Sequence, residues 1–533
     1  MLDRKYSYIL IVLLGSISFN VAIAQSNPCN SDCTGASTFL GDGAGASGTM
    51  VTGDYNSFFG QFAGTNIIDG SSNSFFGQSA GFMNSSGSNN SFFGLSAGRE
   101  NLSGSNNAFF GRAAGQENIS GGDNSFFGRD AGRENEGSSN SFFGSSAGRS
   151  NSGDNNSFFG RAAGNDNMSG ESNSFFGRDA GRQNTDGSSN SFFGRSAGTN
   201  SSGSDNSFFG RNAGRNNNAD GNSFFGSSAG TNNTSGESNS FFGRGSGSNN
   251  TEGGNNSFFG QFSGHANIEG SDNSFFGQNA GNRNDEGSNN SFFGGACGFL
   301  NENGVANAFF GQSSGFGNIE GSDNSFFGFN SGRSNTTGNF NSFFGANAGS
   351  NISTGSYNVM IGNGSGPSSN NSTISNKLFI DIAENDAPLI YGEFDNDFVR
   401  INGTFEVTAG LNNPSSIKLK DRFISVAPAL ILEKINSLDI AEWSYKVDPE
   451  VRHIGPTAES FYKAFGLGTG GDNISTIDAD GVSLVAIQAL TDRLEEQQKQ
   501  MDEKDHKILK LQEDVNALKK EFDSLKAFLL KME

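Results

Sequence analysis

A short motif with two adjacent phenylalanines and a glycine, most often Asn-Ser-Phe-Phe-Gly, recurs through most of this 533-residue chain. Most copies start 17 residues after the previous one, and a few start 16 residues after it because they lose one residue from their polar half. Such strict phasing predicts one small structural unit repeated about twenty times rather than a series of ordinary domains. The first aromatic residue of each unit is Phe39, Phe58, Phe75, Phe92, Phe109, Phe126, Phe142, Phe158, Phe175, Phe192, Phe208, Phe224, Phe241, Phe258, Phe275, Phe292, Phe309, Phe326 or Phe343, before a divergent copy at residues 358–362.

The composition of the repeats predicts β-structure. Glycine contributes 78 residues and phenylalanine 54, whereas the chain has seven tyrosines and one tryptophan. A chain rich in glycine, serine and asparagine can be disordered, but disordered chains lack phased aromatic residues. Glycine at three fixed positions of each unit excludes a helix. We therefore predict a mainly β protein whose residues 36–366 form a parallel β-solenoid of about twenty coils of 16–17 residues.

Stacked coils place identical residues above one another, about 4.8 Å apart. We expect a ladder of phenylalanines inside the solenoid and a ladder of asparagines at a corner, where each side-chain amide bonds to that of the next coil. Glycines supply turns with positive φ. No proline lies between Pro28 and Pro367, as continuous ladders require.

The phenylalanine doublet constrains the assembly. Adjacent residues of a regular strand point to opposite faces, so only one phenylalanine of each pair can enter the core. The other would form an apolar stripe along the solenoid that a soluble monomer does not tolerate. Two further copies of the solenoid around a common axis would cover it. The alternative is a bulge that turns both rings inward.

Residues 1–24 are typical of a secretory signal peptide. Arg4 and Lys5 precede an apolar stretch from residue 8 to 19, and residues 22–24 form a small-x-small cleavage site. The apolar stretch is too short to span a bilayer, so we expect a secreted or cell-surface protein without a transmembrane segment in the mature chain. Cys29 and Cys33 would then close a small loop in an N-terminal cap, residues 25–35.

Charge and ligand chemistry argue against several classes of partner. The net charge of −21 is unfavourable for nucleic acid, which needs clustered cations. Gly-Ser-Asp-Asn recurs, but its aspartate varies to serine or asparagine, which a ladder of calcium ligands does not allow. Cys297 stands where most units have alanine, and we expect a small buried side chain there. We expect no metal site and no cofactor; a glycan or other cell-surface ligand stays open.

The repeat unit, a strand that begins with Asn-Ser and ends in glycine, resembles the head repeats of trimeric autotransporter adhesins. Those repeats stack into a trimeric left-handed β-roll, so the resemblance implies a homotrimer. It covers residues 36–366. The family's repeats are shorter, and they carry aliphatic residues where this chain has Phe-Phe.

The phase of the repeat is lost after Pro367. Apolar residues then alternate with polar ones, which predicts antiparallel strands and a β-rich neck over residues 367–412. The alternating residues are Leu378, Ile380 and Ile382, then Val399 and Ile401, then Phe405 and Val407.

Several motifs follow one another in a specific order after residue 413. They are Leu432-Glu433-Lys434-Ile435, Trp443-Ser444-Tyr445-Lys446, residues 453–462, Phe465-Gly466-Leu467-Gly468, and residues 474–482 leading to Ile487-Gln488-Ala489-Leu490. This set resembles the intramolecular chaperone domain that ends phage endosialidases, tail spikes and many bacterial tail-fibre-like proteins. The resemblance implies that residues 413–485 form an α+β domain that trimerises the nascent fibre.

In that family the domain then cuts itself off at a serine, helped by a lysine five residues later. Ser415 and Lys420 have this spacing, which implies cleavage between Pro414 and Ser415. A neutral lysine amine can deprotonate a serine hydroxyl, whose oxygen attacks the preceding carbonyl. The family continues Ser-Asp whereas this chain continues with Ser416, so the alternative that Ser415 is a linker residue stays open. For the nearby His453 we expect a structural hydrogen bond rather than a metal site.

The last residues, 486–533, predict a coiled coil. Apolar residues recur every seven positions, and a second set fills the complementary positions of the seam. Gln497 and Lys504 are polar exceptions. The first set is Ile487, Leu494, Met501, Ile508, Val515, Phe522 and Leu529, and the second is Leu490, Leu511, Leu518, Leu525 and Met532.

Together these features predict an exported homotrimeric fibre or adhesin-like structural protein with a C-terminal assembly module. Its enzymatic activity would be at most one self-cleavage by Ser415 and Lys420. The alternative is a tail-spike-like protein that binds or degrades glycans, which would need paired carboxylates in a fixed, non-repeated site.

Overall fold

The computed structural model describes residues 37–45, 52–370, 372–408, 414–446, 448–468 and 470–532. The predicted signal peptide, Cys29 and Cys33 lie outside these ranges. The chain divides into two compact units, Met1–Phe405 and Glu406–Glu533, and each is described by itself. The boundary between the units falls inside the predicted neck, 367–412.

In its described residues the first unit contains 25 short strands, most of them three residues long. In chain order they are β1 (Thr38–Leu40), β2 (Ser57–Phe59), β3 (Ser74–Phe76), β4 (Ser91–Phe93), β5 (Ala108–Phe110), β6 (Ser125–Phe127), β7 (Glu134–Asn135), β8 (Ser141–Phe143), β9 (Ser150–Asn151), β10 (Ser157–Phe159), β11 (Ser174–Phe176), β12 (Ser191–Phe193), β13 (Ser207–Phe209), β14 (Ser223–Phe225), β15 (Ser240–Phe242), β16 (Ser257–Phe259), β17 (Ser274–Phe276), β18 (Ser291–Phe293), β19 (Ala308–Phe310), β20 (Ser325–Phe327), β21 (Ser342–Phe344), β22 (Val359–Ile361), β23 (Lys377–Ile380), β24 (Ile390–Glu393) and β25 (Phe398–Ile401).

The predicted parallel β-solenoid of about twenty coils is confirmed. Each Phe-Phe strand pairs in parallel with the strand of the next coil, so that Ser157, Phe158 and Phe159 face Ser174, Phe175 and Phe176. The same register holds from β1 to β22. Among the described strands of this unit, β7 and β9 form a separate parallel pair, in two successive coils of 16 residues.

The first phenylalanine of each doublet fills the core. From Phe58 to Phe343 these rings are fully buried, and neighbouring rings stack with centroids 4.7–4.9 Å apart. A row of small residues lines the same core, alanine in most coils and serine or cysteine in others. Cys297 belongs to this row: it is buried, and its Sγ lies 3.1 Å from the carbonyl oxygen of Phe309. Burial raises the pKa of the Cys297 thiol.

Buried asparagines form two ladders rather than one. The asparagine that opens each unit accepts a backbone N–H from the next, as Asn73 does from Asn90 at 3.0 Å. A second asparagine, in the polar half, bonds side chain to side chain. For example, Asn101 Nδ2 donates to Asn84 Oδ1 at 2.7 Å and to the carbonyl oxygen of Gly104 at 2.8 Å. Every coil is therefore tied to the next through buried amides.

The second asparagine ladder has one gap and two apolar ends. Ser201 occupies an asparagine position, and its Oγ and the Oδ1 of Asn184 have no hydrogen-bond partner among the described residues. The shorter serine side chain does not bridge the space between coils. Ile67 and Ile352, both fully buried, stand at the first and last described positions of this row.

A row of left-handed residues explains why Gly-Ser-Asp-Asn recurs. The residue before the first asparagine of each unit has positive φ, as at Asp123 (58°), Asp205 (59°) and Asp272 (59°). Asparagine, aspartate and serine, which fill this position in most coils, bond locally to the backbone, and asparagine and aspartate are the residues other than glycine that adopt this conformation most readily. The recurring aspartate is thus accounted for by backbone conformation, without a calcium ligand.

The end of the first unit continues the solenoid sheet. β23 pairs in parallel with β22, and the antiparallel strands β24 and β25 follow it. Antiparallel pairing is as predicted here, but Ile382, Phe405 and Val407 lie outside the strands because each of these strands ends after four residues.

The second unit combines helices with a two-stranded sheet. A 3-10 turn (Ile417–Leu419) precedes α1 (Pro428–Asn436), β26 (Ala441–Tyr445), β27 (Asp448–Gly455), α2 (Ala458–Phe465) and α3 (Thr476–Leu529). α1 packs on the first part of α3 through Leu432, Ile435, Ala486 and Ala489. The predicted coiled coil, 486–533, thus lies mostly within a longer helix of 54 residues. None of the helices in the described ranges has the length and hydropathy that crossing a membrane requires.

Candidate functional site

The second phenylalanine of each doublet points away from the core and forms a continuous outer ladder. Its eighteen rings stack with centroids 4.6–5.1 Å apart and planes within 7° of each other. The outer ladder consists of Phe59, Phe76, Phe93, Phe110, Phe127, Phe143, Phe159, Phe176, Phe193, Phe209, Phe225, Phe242, Phe259, Phe276, Phe293, Phe310, Phe327 and Phe344.

Alternation along the strand places these rings outside. In β12, for example, Ser191 and Phe193 are half-buried, whereas Phe192 between them is fully buried. The alternative that a bulge turns both rings inward is therefore wrong. Stacking covers the ring faces and leaves the edges open, and Phe143, Phe209 and Phe344 are 37–43 % exposed.

The outer ladder is long, apolar and rimmed by polar residues. Seventeen steps of about 4.7 Å give it a length of about 80 Å. The serines that precede the doublets run along one side, as Ser174 and Ser191 do. On the other side, beyond the glycine, stand mostly arginine and glutamine. An extended apolar surface with a polar rim marks a site that contacts another protein, a membrane or a ligand.

The second unit has its own unpartnered apolar surface. All the predicted seam residues except Met532 lie on α3, and those from Ile487 to Met532 are 48–73 % exposed. Every described residue from 491 to 532 is exposed. Helices in proteins gain most of their stability from packing of an apolar face, and a partner helix would bury this one.

The structure brings Ser415 and Lys420 together. The 3-10 turn Ile417–Leu419 reverses the chain between them, and Ser416 caps this turn by accepting the backbone N–H of Lys418 at 3.2 Å. Lys420 Nζ lies 2.7 Å from Ser415 Oγ, within hydrogen-bond distance. Both side chains are exposed in the single chain.

This pair has the geometry that a serine nucleophile and a lysine base require. A base must lie within about 2.6–3.2 Å of the hydroxyl whose proton it accepts. Lys420 Nζ meets this condition, and the carbonyl that Ser415 would attack belongs to the adjacent Pro414.

His453 lies in an aromatic cluster of the small sheet. It stands opposite Trp443 in the β26–β27 pair, and the two rings stack with centroids 4.8 Å apart. Tyr445 contacts both rings edge-on. In the described part of the chain, no group of three or more histidines, cysteines, aspartates or glutamates could hold a metal ion.

A polar cleft of about 430 Å³ lies beside the neck strands and was not predicted from the sequence motifs. Its lining includes Lys377, Tyr391, Glu393 and Arg400. Burial and the hydrogen bond that its hydroxyl donates to Glu393 Oε1, 2.8 Å long, raise the pKa of Tyr391 to about 12. Lys377 Nζ lies 3.9 Å from Glu393 Oε1, and the Arg400 guanidinium lies 5.0 Å from the centre of the Tyr391 ring. The cleft's charged groups therefore largely satisfy one another.

Comparisons with protein-family models, with curated proteins and with solved structures found no match to this chain. The two family resemblances remain interpretations of the sequence motifs, and the fold described above rests on the chain's own structure.

Proposed function

We propose that the protein is the subunit of an exported homotrimeric fibre with a structural or adhesive role. The outer phenylalanine ladder carries this proposal. About 80 Å of ring edges would face water in a single chain, and a second surface of the same kind would bury them. The ladder repeats at one fixed spacing, so another copy of the same solenoid matches it ring for ring.

The exposed seam of α3 supports the same assembly. Apart from Gln497 and Lys504, its a and d positions are apolar through nearly seven heptads, which favours a left-handed coiled coil. The seam alone does not set the number of strands. Three is favoured by the resemblance of the repeats to trimeric adhesin heads and of residues 413–485 to a trimerising chaperone domain.

A dedicated assembly module would solve a problem that the solenoid creates. Near-identical coils can pair with a neighbouring chain one or more coils out of register at little cost. If unit 2 joins three chains first, the three solenoids start in register. We propose that this is the role of residues 413–533, and that Ser415 and Lys420 then release the module by autoproteolysis.

The trimer is tested by sizing residues 25–533 carrying Ser415→Ala, which keeps the chain intact. We expect light scattering to give three times the mass of one chain. Oxidation of a further Phe193→Cys variant should cross-link the chains, because the outer ladders would meet at the axis. Asp186→Cys, in the polar half of the preceding coil, is the matched control and should not cross-link. A monomer would overturn the trimer, and a trimer without the Phe193→Cys cross-link would place its axis elsewhere.

Self-cleavage is tested by the mass of the purified chain. We expect the unmodified protein to yield a fragment of 119 residues that begins at Ser415. Ser415→Ala and Lys420→Ala should each abolish the fragment, because one removes the nucleophile and the other the base. Ser425→Ala removes an exposed hydroxyl outside the 3-10 turn and should leave cleavage intact. A single intact mass for the unmodified chain would show that Ser415 is a linker residue.

A further inference from the structure

Seven arginines form a row on one side of the solenoid. Each follows the glycine of a Phe-Phe-Gly strand, and they fall within nine consecutive coils, in which serine takes the other two positions. The arginine row consists of Arg112, Arg129, Arg161, Arg178, Arg195, Arg211 and Arg244. All seven side chains are exposed.

The register of the sheet brings these arginines close together. The phenylalanine two residues before each arginine stacks on its neighbour with centroids 4.6–4.8 Å apart, so the row repeats at about the same spacing. Arg161, Arg178, Arg195 and Arg211 occupy four successive coils. Like charges on adjacent strands repel one another, and this cost recurs at every step.

Most of the row has no carboxylate partner. Arg129 and Arg178 pair with the aspartates that follow them, at 3.2 and 3.0 Å. Among the described residues, no carboxylate lies within 4.0 Å of the other five. A second set of arginines follows the Ala-Gly of several units. Three of them, Arg99, Arg133 and Arg149, each contact a glutamate at 3.3–4.0 Å.

The fold does not require arginine at this position. The same position carries Gln61, Gln78 and Gln278 in other coils, and Gly295 and Ala346 in two more. These coils keep the same strand register. A repulsive row that the fold can do without therefore points to a ligand.

We propose that the arginine row binds a linear anionic polysaccharide. Guanidinium groups bind carboxylate and sulfate in a planar, two-point manner, which distinguishes arginine from lysine, and no lysine occurs between Lys5 and Lys377. A polymer with one anionic group per sugar or disaccharide matches a row of regularly spaced cations. Duplex DNA carries about one charge per 1.7 Å, far denser than the row.

Two variants with the same change in charge test this site. The row variant replaces Arg112, Arg161, Arg195, Arg211 and Arg244 by glutamine, the residue that other coils carry at this position. The control variant replaces five arginines of the second set by glutamine: Arg99, Arg133, Arg149, Arg182 and Arg215. Each variant lowers the net charge by five within the same part of the solenoid, so general electrostatics are matched.

Binding is measured with the full-length mature chain against immobilised polygalacturonate, heparin and neutral dextran. We expect the unmodified protein to bind the carboxylated or the sulfated polymer, more weakly as salt rises, and not to bind dextran. The row variant should lose at least about tenfold in affinity, whereas the control should stay within about twofold. Which anionic polymer binds better identifies the preferred group.

Several outcomes would overturn the proposal: no binding to either anionic polymer, equal binding to dextran, tighter binding to single-stranded DNA, or an equal loss in both variants. The test is independent of the proposed trimer. If the protein is a monomer and binds through the arginine row, only the proposed trimer is refuted. If it is a trimer and binds neither anionic polymer, only the polysaccharide site is refuted.

Discussion

Gly294→Ala is expected to destabilise the solenoid by about 3–5 kcal/mol, whereas Gly295→Ala, at the next residue, should change stability by less than about 1 kcal/mol. Gly294 has φ +146°, and a Cβ there would lie 2.5 Å from the carbonyl oxygen of Gly311 in the next coil. The parallel ladder holds the backbone of both residues in place, so neither the carbonyl oxygen nor a Cβ on residue 294 can move aside. The backbone strain at residue 294 and the steric clash with Gly311 therefore both destabilise the Gly294→Ala variant.

Gly295 is a closely matched control. Its φ lies outside the left-handed region, and the nearest atom to an added Cβ would be Gln312 Cγ at 4.0 Å. Ala346 occupies the same position three coils later, so alanine is known to fit. Hydrogen–deuterium exchange of the coils around residue 294 is the suitable measurement, because long repeat arrays do not unfold in two states. Equal protection in the two variants would contradict the interpretation.

Asn250→Leu should cost about 3–6 kcal/mol, because it removes a buried amide that bridges three coils. Asn250 Nδ2 donates to Asn233 Oδ1 at 2.7 Å and to the carbonyl oxygen of Gly253 at 2.6 Å, and its Oδ1 accepts from Asn267 Nδ2 at 2.6 Å. Leucine has a similar volume but makes none of these bonds. The isoleucines at residues 67 and 352 stand at the first and last described positions of this row.

Ser201→Asn is the opposite change in the same ladder and should stabilise the solenoid by about 1–2 kcal/mol. The new amide would donate to Asn184 Oδ1, which has no partner among the described residues, and would accept from Asn217. Peptide-resolved hydrogen–deuterium exchange should slow in the coils around residue 201 in the Ser201→Asn variant. It should accelerate around residue 250 in the Asn250→Leu variant. A loss of protection in both variants would mean that the gap at Ser201 is a favourable packing arrangement.

The 16–17-residue spacing of the motif and its Phe-Phe doublet made most of the solenoid predictable from the sequence. Strict spacing of one motif requires that each unit occupy the same environment, and alternation along a strand requires that Phe192 and Phe193 face opposite ways. These rules depend on chain geometry and hold whatever the neighbours are. The asparagine ladder was predictable for the same reason, since a buried amide must find a partner.

Other structural features could not be predicted, because they depend on backbone angles or on packing between coils, which the spacing of the motif does not determine. The left-handed residue before each unit's first asparagine is one example, because Phe340 and Tyr357 adopt it as well as Asp323. The second asparagine ladder and the gap at Ser201 are others. The spacing of Ser415 and Lys420 suggested a pair, but their 2.7 Å contact depends on the intervening turn.

The register between coils also bears on how long such a solenoid can be. Each coil presents to the next the same backbone groups, the same ring and the same amides as its predecessor did. Two coils that become neighbours after the loss or duplication of the coils between them would therefore meet complementary surfaces. The length of the solenoid therefore changes in steps of about 4.7 Å per coil. Whole coils can be added or lost without any change in sequence at either end.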